Sequence, residues 1–224
     1  MAANINTFKK IEHEATACHA RLVAVSKTKP ARDIQSLYDA GQRVFGENYV
    51  QELQEKHGQL PPDIEWHFIG HLQRNKVKYI VPFVSMIQTV DSLALLQEIN
   101  KQAAKSGRIV DCLVEIHIAR EASKTGLEEA DLIPLLQEVV SRKEVFSQVR
   151  LRGLMGMATF TDDEQVVRGE FRRLKALLEH ARDRFKEIGD AFTELSMGMS
   201  ADYVWALEEG STLIRVGSLL FGAR

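Results

Sequence analysis

Short apolar runs alternate with longer amphipathic stretches along the whole chain. The first stretch, Asn4 to His19, spaces Ile5, Phe8, Ile11, Ala15 and Cys18 three and four residues apart, which predicts a helix with one apolar face. Eight runs of strand length follow: Leu22–Val25, Arg43–Gly46, Trp66–Gly70, Val84–Val90, Cys112–Ile118, Leu151–Met157, Phe192–Met197 and Leu213–Gly217. The segments between them carry helical spacing and helix punctuation. Pro30 opens one with its φ preset, and Gly41 closes it. Asn48 precedes another that ends near Gly58, and Asp91 is the expected cap of a third that ends in Gly107. Similar patterns follow Glu128 and Asp162, with Pro134 expected in a first turn or at a slight kink.

Strands alternating with helices predict parallel βαβ units, and eight such units close naturally into a (β/α)8 barrel. A doubly wound open sheet is the alternative. No linker or low-complexity tract interrupts the pattern, so one domain over residues 1–224 is expected. Too few residues follow Gly217 for a full last helix, so the N-terminal helix is expected to cover the outer face of the last strand.

In such a barrel, function gathers at the C-terminal strand ends. Val23, Val25 and Lys27 share one face of the first strand, so Lys27 points inward at the mouth if the valines fill the barrel. There it is either a lysine snorkelling to water or a partly desolvated amine fit for Schiff-base chemistry. After the seventh strand, Ser196, Gly198, Met199 and Ser200 lie in a turn feeding a helix expected near Ala201. That turn is either a serine-capped loop or an anion cradle. On the eighth strand, Leu213, Arg215 and Gly217 share a face opposite Thr212, Ile214 and Val216, which puts Arg215 inside the barrel. Its partner there is either a carboxylate such as Glu115 or a ligand. Gly217 and Ser218 add a further amide and hydroxyl. Barrel phosphate sites often use the loops after strands seven and eight, and strand one is next to strand eight. An amine, an anion cradle and an inward arginine therefore converge, as an aldehyde-bearing phosphorylated cofactor requires.

Bulk composition narrows the alternatives. The 224 residues carry a net charge of −2, with 45% hydrophobic and 27% charged residues, so no basic excess points to nucleic acid or a membrane surface. His71, Arg74, Lys76 and Lys78 form a local basic group on a short helix, read as a solvated face. The two cysteines, Cys18 and Cys112, fit no disulfide framework or zinc spacing, and match a reducing cytosol. His67 and His71 lack the further ligands of a metal site. No signal-peptide core and no stretch of roughly 20 apolar residues is present, so a cytoplasmic protein is expected. Met155, Met157, Met197 and Met199 are expected to fill the barrel or line the site, and Trp66 and Trp205 to anchor the core.

The segments "AVSKTKP", "FGENYVQE", "WHFIGHLQRNK", "LRGLMGM", "LSMGMSADY" and "GSTLIRVGSLLFGAR" together resemble the pyridoxal phosphate homeostasis protein family. The resemblance runs from about Leu22 to the C-terminus. It implies a fold-type-III-like barrel of the alanine-racemase type and pyridoxal 5'-phosphate (PLP) held as a Schiff base on Lys27. It further implies phosphate contacts from the Ser196–Ser200 loop, Gly217 and Ser218, with Arg215 facing the pyridine nitrogen and Asn48 near the cofactor. Ser218 stands where many relatives have threonine, and His117 where they commonly have asparagine; His117 is read as a hydrogen-bonded barrel histidine, the alternative being a changed polarity beneath the cofactor.

An arginine beside the pyridine nitrogen disfavours its protonation and makes the ring a weaker electron sink. Racemases of this type compensate with a second base, a tyrosine brought by an added β-domain of a partner subunit. The sequence to Arg224 contains no such domain, and Tyr38, Tyr49, Tyr79 and Tyr203 show no sign of that role. The expectation is a PLP carrier with no catalytic residues, acting in vitamin B6 homeostasis and amino-acid balance, a monomer with apo PLP-dependent enzymes as recipients. A PLP-dependent amino-acid racemase is the alternative.

Overall fold

The computed structural model describes residues 3–121, 125–188 and 190–222. Each predicted strand is present: β1 (Arg21–Val25), β2 (Val44–Glu47), β3 (Glu65–Phe68), β4 (Met86–Val90), β5 (Val110–Ile116), β6 (Val149–Gly156), β7 (Glu194–Ser196) and β8 (Leu213–Val216). They pair in sequence order, all parallel, and β8 returns to β1 to close the barrel. The open-sheet alternative is thereby excluded.

Alternation along the strands separates two apolar layers. Val23, Val44, Met86, Leu113, Met155 and Leu213 fill the barrel, with Met157 against them. Ala24, Phe45, Cys112, Val114, Ile214 and Val216 point the other way, into the layer beneath the helices. The expected faces of β8 are therefore observed. Met197 belongs to the outer layer, so it does not fill the barrel as expected. Trp66 is buried in that layer, and Trp205 packs against it.

The helices are α1 (Ile5–Ala17), α2 (Ala31–Asp39), α3 (Val50–His57), α4 (Val77–Ile80), α5 (Leu93–Lys105), α6 (Glu129–Ser141), α7 (Glu164–Arg184), α8 (Tyr203–Glu208) and α9 (Ser218–Phe221). Three expectations shift locally. The α5 cap is Ser92, whose hydroxyl accepts from the Leu95 amide, and not Asp91. Pro134 falls in the second turn of α6, which leaves the first-turn alternative unmet. The helix after β7 begins at Tyr203, because the amides of Asp202 and Tyr203 both turn back to the Met199 carbonyl.

α1 lies where the last helix of a full barrel would be. Asn4 caps it by accepting from the Thr7 amide at 3.0 Å. Phe8, Ile11 and Ala15 are its buried face. The Asn4 amide donates to the Leu220 carbonyl of α9 at 2.7 Å, and the Tyr203 hydroxyl of α8 donates to Glu14 at 2.9 Å. The short α9 is thus roofed by the start of the chain. Ala223 and Arg224, the end of the last sequence motif, lie outside the described residues.

Candidate functional site

Lys27 sits half-buried in the turn after β1. Thr28, the next residue, holds φ at +64°, a left-handed conformation unusual for a β-branched residue. That turn is tied down on both sides of Lys27. The Ser26 hydroxyl donates to Glu47 Oε1 at 2.6 Å. Lys56 Nζ donates to the Ser26 carbonyl, to Glu47 Oε1 and to Glu52 Oε1, each at 2.7 Å. The Thr28 amide donates to Glu52 Oε1 at 2.5 Å. Glu47 is fully buried, and burial pushes its carboxyl above the ordinary range, with Lys56 opposing. Its Oε2 finds no partner among the described residues.

Across the barrel interior runs a hydrogen-bonded chain that starts at Arg215. The guanidinium, 4% exposed, donates from Nη1 to Ser196 Oγ at 2.6 Å and from Nη2 to the Gly156 carbonyl at 3.0 Å. Ser196 Oγ donates in turn to Gln88 Oε1 at 2.6 Å. The Gln88 amide nitrogen lies 2.8 Å from His67 Nδ1, which must accept, so the imidazole proton is on Nε2. Burial holds His67 down to about 3, so the ring is neutral at neutral pH. Burial also lowers the Arg215 guanidinium, to about 10, against the opposing charges of Asp202 and Glu115, and it stays charged at neutral pH. Of the two partners considered for Arg215, the carboxylate Glu115 is not the one it meets: among the described residues Arg215 forms no salt bridge. Glu115 instead accepts from Thr125 at 2.8 Å, and burial raises its carboxyl.

Of the two loops expected to hold an anion, the one after β8 meets β1, and the one after β7 meets the β8 loop. Gly217 lies so near the first strand that a Cβ on it would come within 3.0 Å of the Val25 carbonyl oxygen. Its amide donates to Ser200 Oγ at 3.2 Å, which joins the β7 and β8 loops. Ser218 opens α9, whose first amides have no intrahelical acceptor. Ser200, Gly217 and Ser218 therefore gather beside the end of the strand that leads to Lys27. Met199 is in the same loop, and its amide, like that of Gly217, is already engaged, donating to Asp202 Oδ1 at the shorter 2.6 Å. Gly198 lets this loop turn with φ at +91°. Ser196 is placed differently from the loop residue expected: it ends β7 and supports Arg215.

Asn48 follows β2 at the same end of the barrel, and its Oδ1 is buried without a partner among the described residues. It also borders a cavity of about 390 Å³ lined by Tyr49, Phe68, His71, Lys76 and Tyr79. That cavity lies on the β2–β3 side and includes neither Lys27 nor Arg215. The donor set nevertheless fits a phosphorylated aldehyde: one amine, a cluster of hydroxyls and amides for the anion, a buried guanidinium behind them, and an unpartnered carboxamide oxygen. Glu47, Glu52, Lys56, Gln88 and His67 are the parts that sequence reasoning did not assign. Only the Glu52–Lys56 spacing of four residues on one helix could have flagged a pair.

His117 does not reach under this site. Its Nδ1 lies 3.2 Å from Glu128, and its Nε2 lies 3.0 Å from the Glu121 carbonyl, so it braces the loop between β5 and α6. His67 and His71 diverge, the first into the interior and the second 58% exposed beside Asp91. No helix among the described residues is long and apolar enough to cross a membrane.

Comparison with known proteins agrees with this architecture. The family described as alanine racemase, N-terminal domain, matches residues 1–224. A pyridoxal phosphate homeostasis protein of Aquifex aeolicus is 39% identical over 206 residues, covering 92% of this chain and 87% of the relative. The structure of PipY of Synechococcus elongatus with PLP bound superposes with a TM-score of 0.88 at 33% identity, covering 97% of this chain and 99% of that one. Alanine racemase of Streptomyces lavendulae, at 14% identity and a TM-score of 0.76, shares the fold over 100% of this chain and 58% of its own. On the strength of the full-length match and the close relatives, the chain belongs to the pyridoxal phosphate homeostasis protein family and is built on the alanine racemase N-terminal domain.

Proposed function

We propose that this chain is a single PLP-binding domain that keeps the cofactor as a Schiff base on Lys27 and serves intracellular vitamin B6 homeostasis and amino-acid balance. The observation that carries the proposal is the junction of β8 with β1. Gly217, Ser200 and Ser218 stand beside the strand end that leads to Lys27, and the charged Arg215 is buried behind them. When bound, the cofactor supplies the aldehyde carbon with which a lysine amine forms an imine. The chain's own residues do the rest. Ser200, Gly217 and Ser218 receive the phosphate, Asn48 lines the mouth, and the Ser196–Gln88–His67 chain holds Arg215 in place.

Arg215 also explains why retention is favoured over turnover. A guanidinium charged at neutral pH would, beside the ring nitrogen of a bound cofactor, oppose a second positive charge there and leave the ring a weak electron sink. The relatives are named for homeostasis, and this chain takes the same role: a monomeric cytoplasmic carrier from which apo PLP-dependent enzymes draw cofactor. Incubation of the loaded protein with single amino acids in deuterated water tests the role. Retention without α-deuterium exchange or racemisation is expected; sustained racemisation would replace the carrier with an enzyme.

A further inference from the structure

Lys56 is buried to 5% exposure and its ammonium meets three acceptors: the Ser26 carbonyl, Glu47 and Glu52. A buried charge is costly unless fully partnered, so such a cluster holds its geometry firmly. What it holds is the turn around one residue. Ser26 is fixed through both its carbonyl and its hydroxyl, and Thr28 through its amide, so the residues on either side of Lys27 are clamped. The clamp also stabilises the left-handed Thr28, a conformation disfavoured for a residue with a Cβ. All three charged groups come from the end of β2 and from α3, whereas the turn follows β1.

We infer that Lys56, Glu47 and Glu52 form a positioning device that sets the direction in which Lys27 enters the barrel mouth. The inference rests on the reading of Lys27 as the Schiff-base residue. Lys56→Met keeps most of the apolar stem but leaves the Glu47 and Glu52 carboxylates facing each other with no cation between them. The turn then relaxes and the Lys27 amine is no longer held over the site. Outer-shell groups that orient a ligand are commonly worth about 10–100-fold in affinity, and a loss in that range is expected here.

The test compares Lys56→Met, Glu52→Ala and Glu52→Gln with the wild type by the rate at which PLP leaves the loaded protein on dilution, the position of the bound-cofactor absorption band, and the rate at which trinitrobenzenesulfonate arylates Lys27, with loss of sulfite, in the cofactor-free protein. Lys56→Met and Glu52→Ala should release PLP at least about tenfold faster, shift the band and change the arylation rate. Glu52→Gln keeps an acceptor oxygen for the Thr28 amide and should stay near the wild type. Melting of the cofactor-free variants separates this from global loss of structure, which lowers the midpoint without moving the band of molecules still folded. Unchanged release, band and arylation in folded Lys56→Met overturn the inference. Should Lys56→Met not fold, the Glu52→Ala and Glu52→Gln pair decides, because equal behaviour of the two also overturns it. If instead Lys27→Ala retains the covalent bond, the Schiff-base assignment fails, while the arylation rate of Lys27 in the other variants still reports whether the clamp positions it.

Discussion

Replacing Gly198 by alanine perturbs the anion-side loop at a single point, and its cost follows from two measurements. The backbone stands at φ +91°, where a residue with a Cβ pays about 1–2 kcal/mol. The new Cβ would lie 2.4 Å from the Ala206 Cβ and 3.1 Å from the Tyr203 Cα. Carbon atoms settle at about 3.5–4.0 Å, so the loop or α8 must move by roughly 1 Å. Overpacking of that kind costs about 1–3 kcal/mol, giving about 2–5 kcal/mol in all. Urea unfolding of the cofactor-free protein reads this directly: with a slope near 2–3 kcal/mol/M, the midpoint should fall by about 0.7–2.5 M at unchanged slope. PLP titration should weaken in parallel, because the displaced loop carries Ser200, which accepts from the Gly217 amide. Gly169 is the control. It lies within α7 with nothing within 4 Å of an added Cβ, so Gly169→Ala should stabilise by about 0.4–1 kcal/mol. A Gly198→Ala protein as stable as the wild type would refute the contact geometry assigned to this loop.

Three further outcomes are expected. His67 has a folded pKa near 3 against an ordinary 6.5, so below about 6.5 the unfolded chain binds the extra proton. Stability should therefore fall on acidification toward 3, by up to about 1.4 kcal/mol per pH unit from this group, and His67→Gln should flatten that slope in urea titrations between pH 7 and 5. Phe8→Ala removes a fully buried ring from beneath α1 and should cost about 3–5 kcal/mol by the same assay, whereas an exposed-site cost below about 0.5 kcal/mol would mean that α1 is not docked. His117→Asn should leave PLP affinity within about twofold, since His117 bonds Glu128 and Glu121 in a peripheral loop; a tenfold change by fluorescence titration would place it at the cofactor.

The fold was legible because period-two alternation sorts side chains whatever their partners. Leu213 and Arg215 went inward, and Ile214 and Val216 outward, as the β8 pattern implies. Met197 follows the same alternation, facing outward with Leu195 on either side of the inward Ser196, so the period itself opposed the expectation that it fills the barrel. Caps were less legible: Asp91 and Ser92 are both good capping residues, and only geometry selects the serine. Around the site, the sequence marked the mouth but not its supports. Arg215 and Glu115 carry opposite charges inside one barrel, yet each finds a nearer hydroxyl, Ser196 and Thr125. Ser26, Glu47 and Lys56 are up to 30 residues apart and converge only once β1 and β2 pair.

The most direct test of the central claim is the visible spectrum of PLP-loaded wild type beside Lys27→Ala, followed by borohydride reduction and peptide mapping. The wild type should show an imine absorption band that borohydride abolishes, with the reduced pyridoxyl group on the peptide containing Lys27. Lys27→Ala should show neither the band nor the adduct. An unchanged band in the variant, or an adduct mapped to Lys29 or Lys56, would contradict the account.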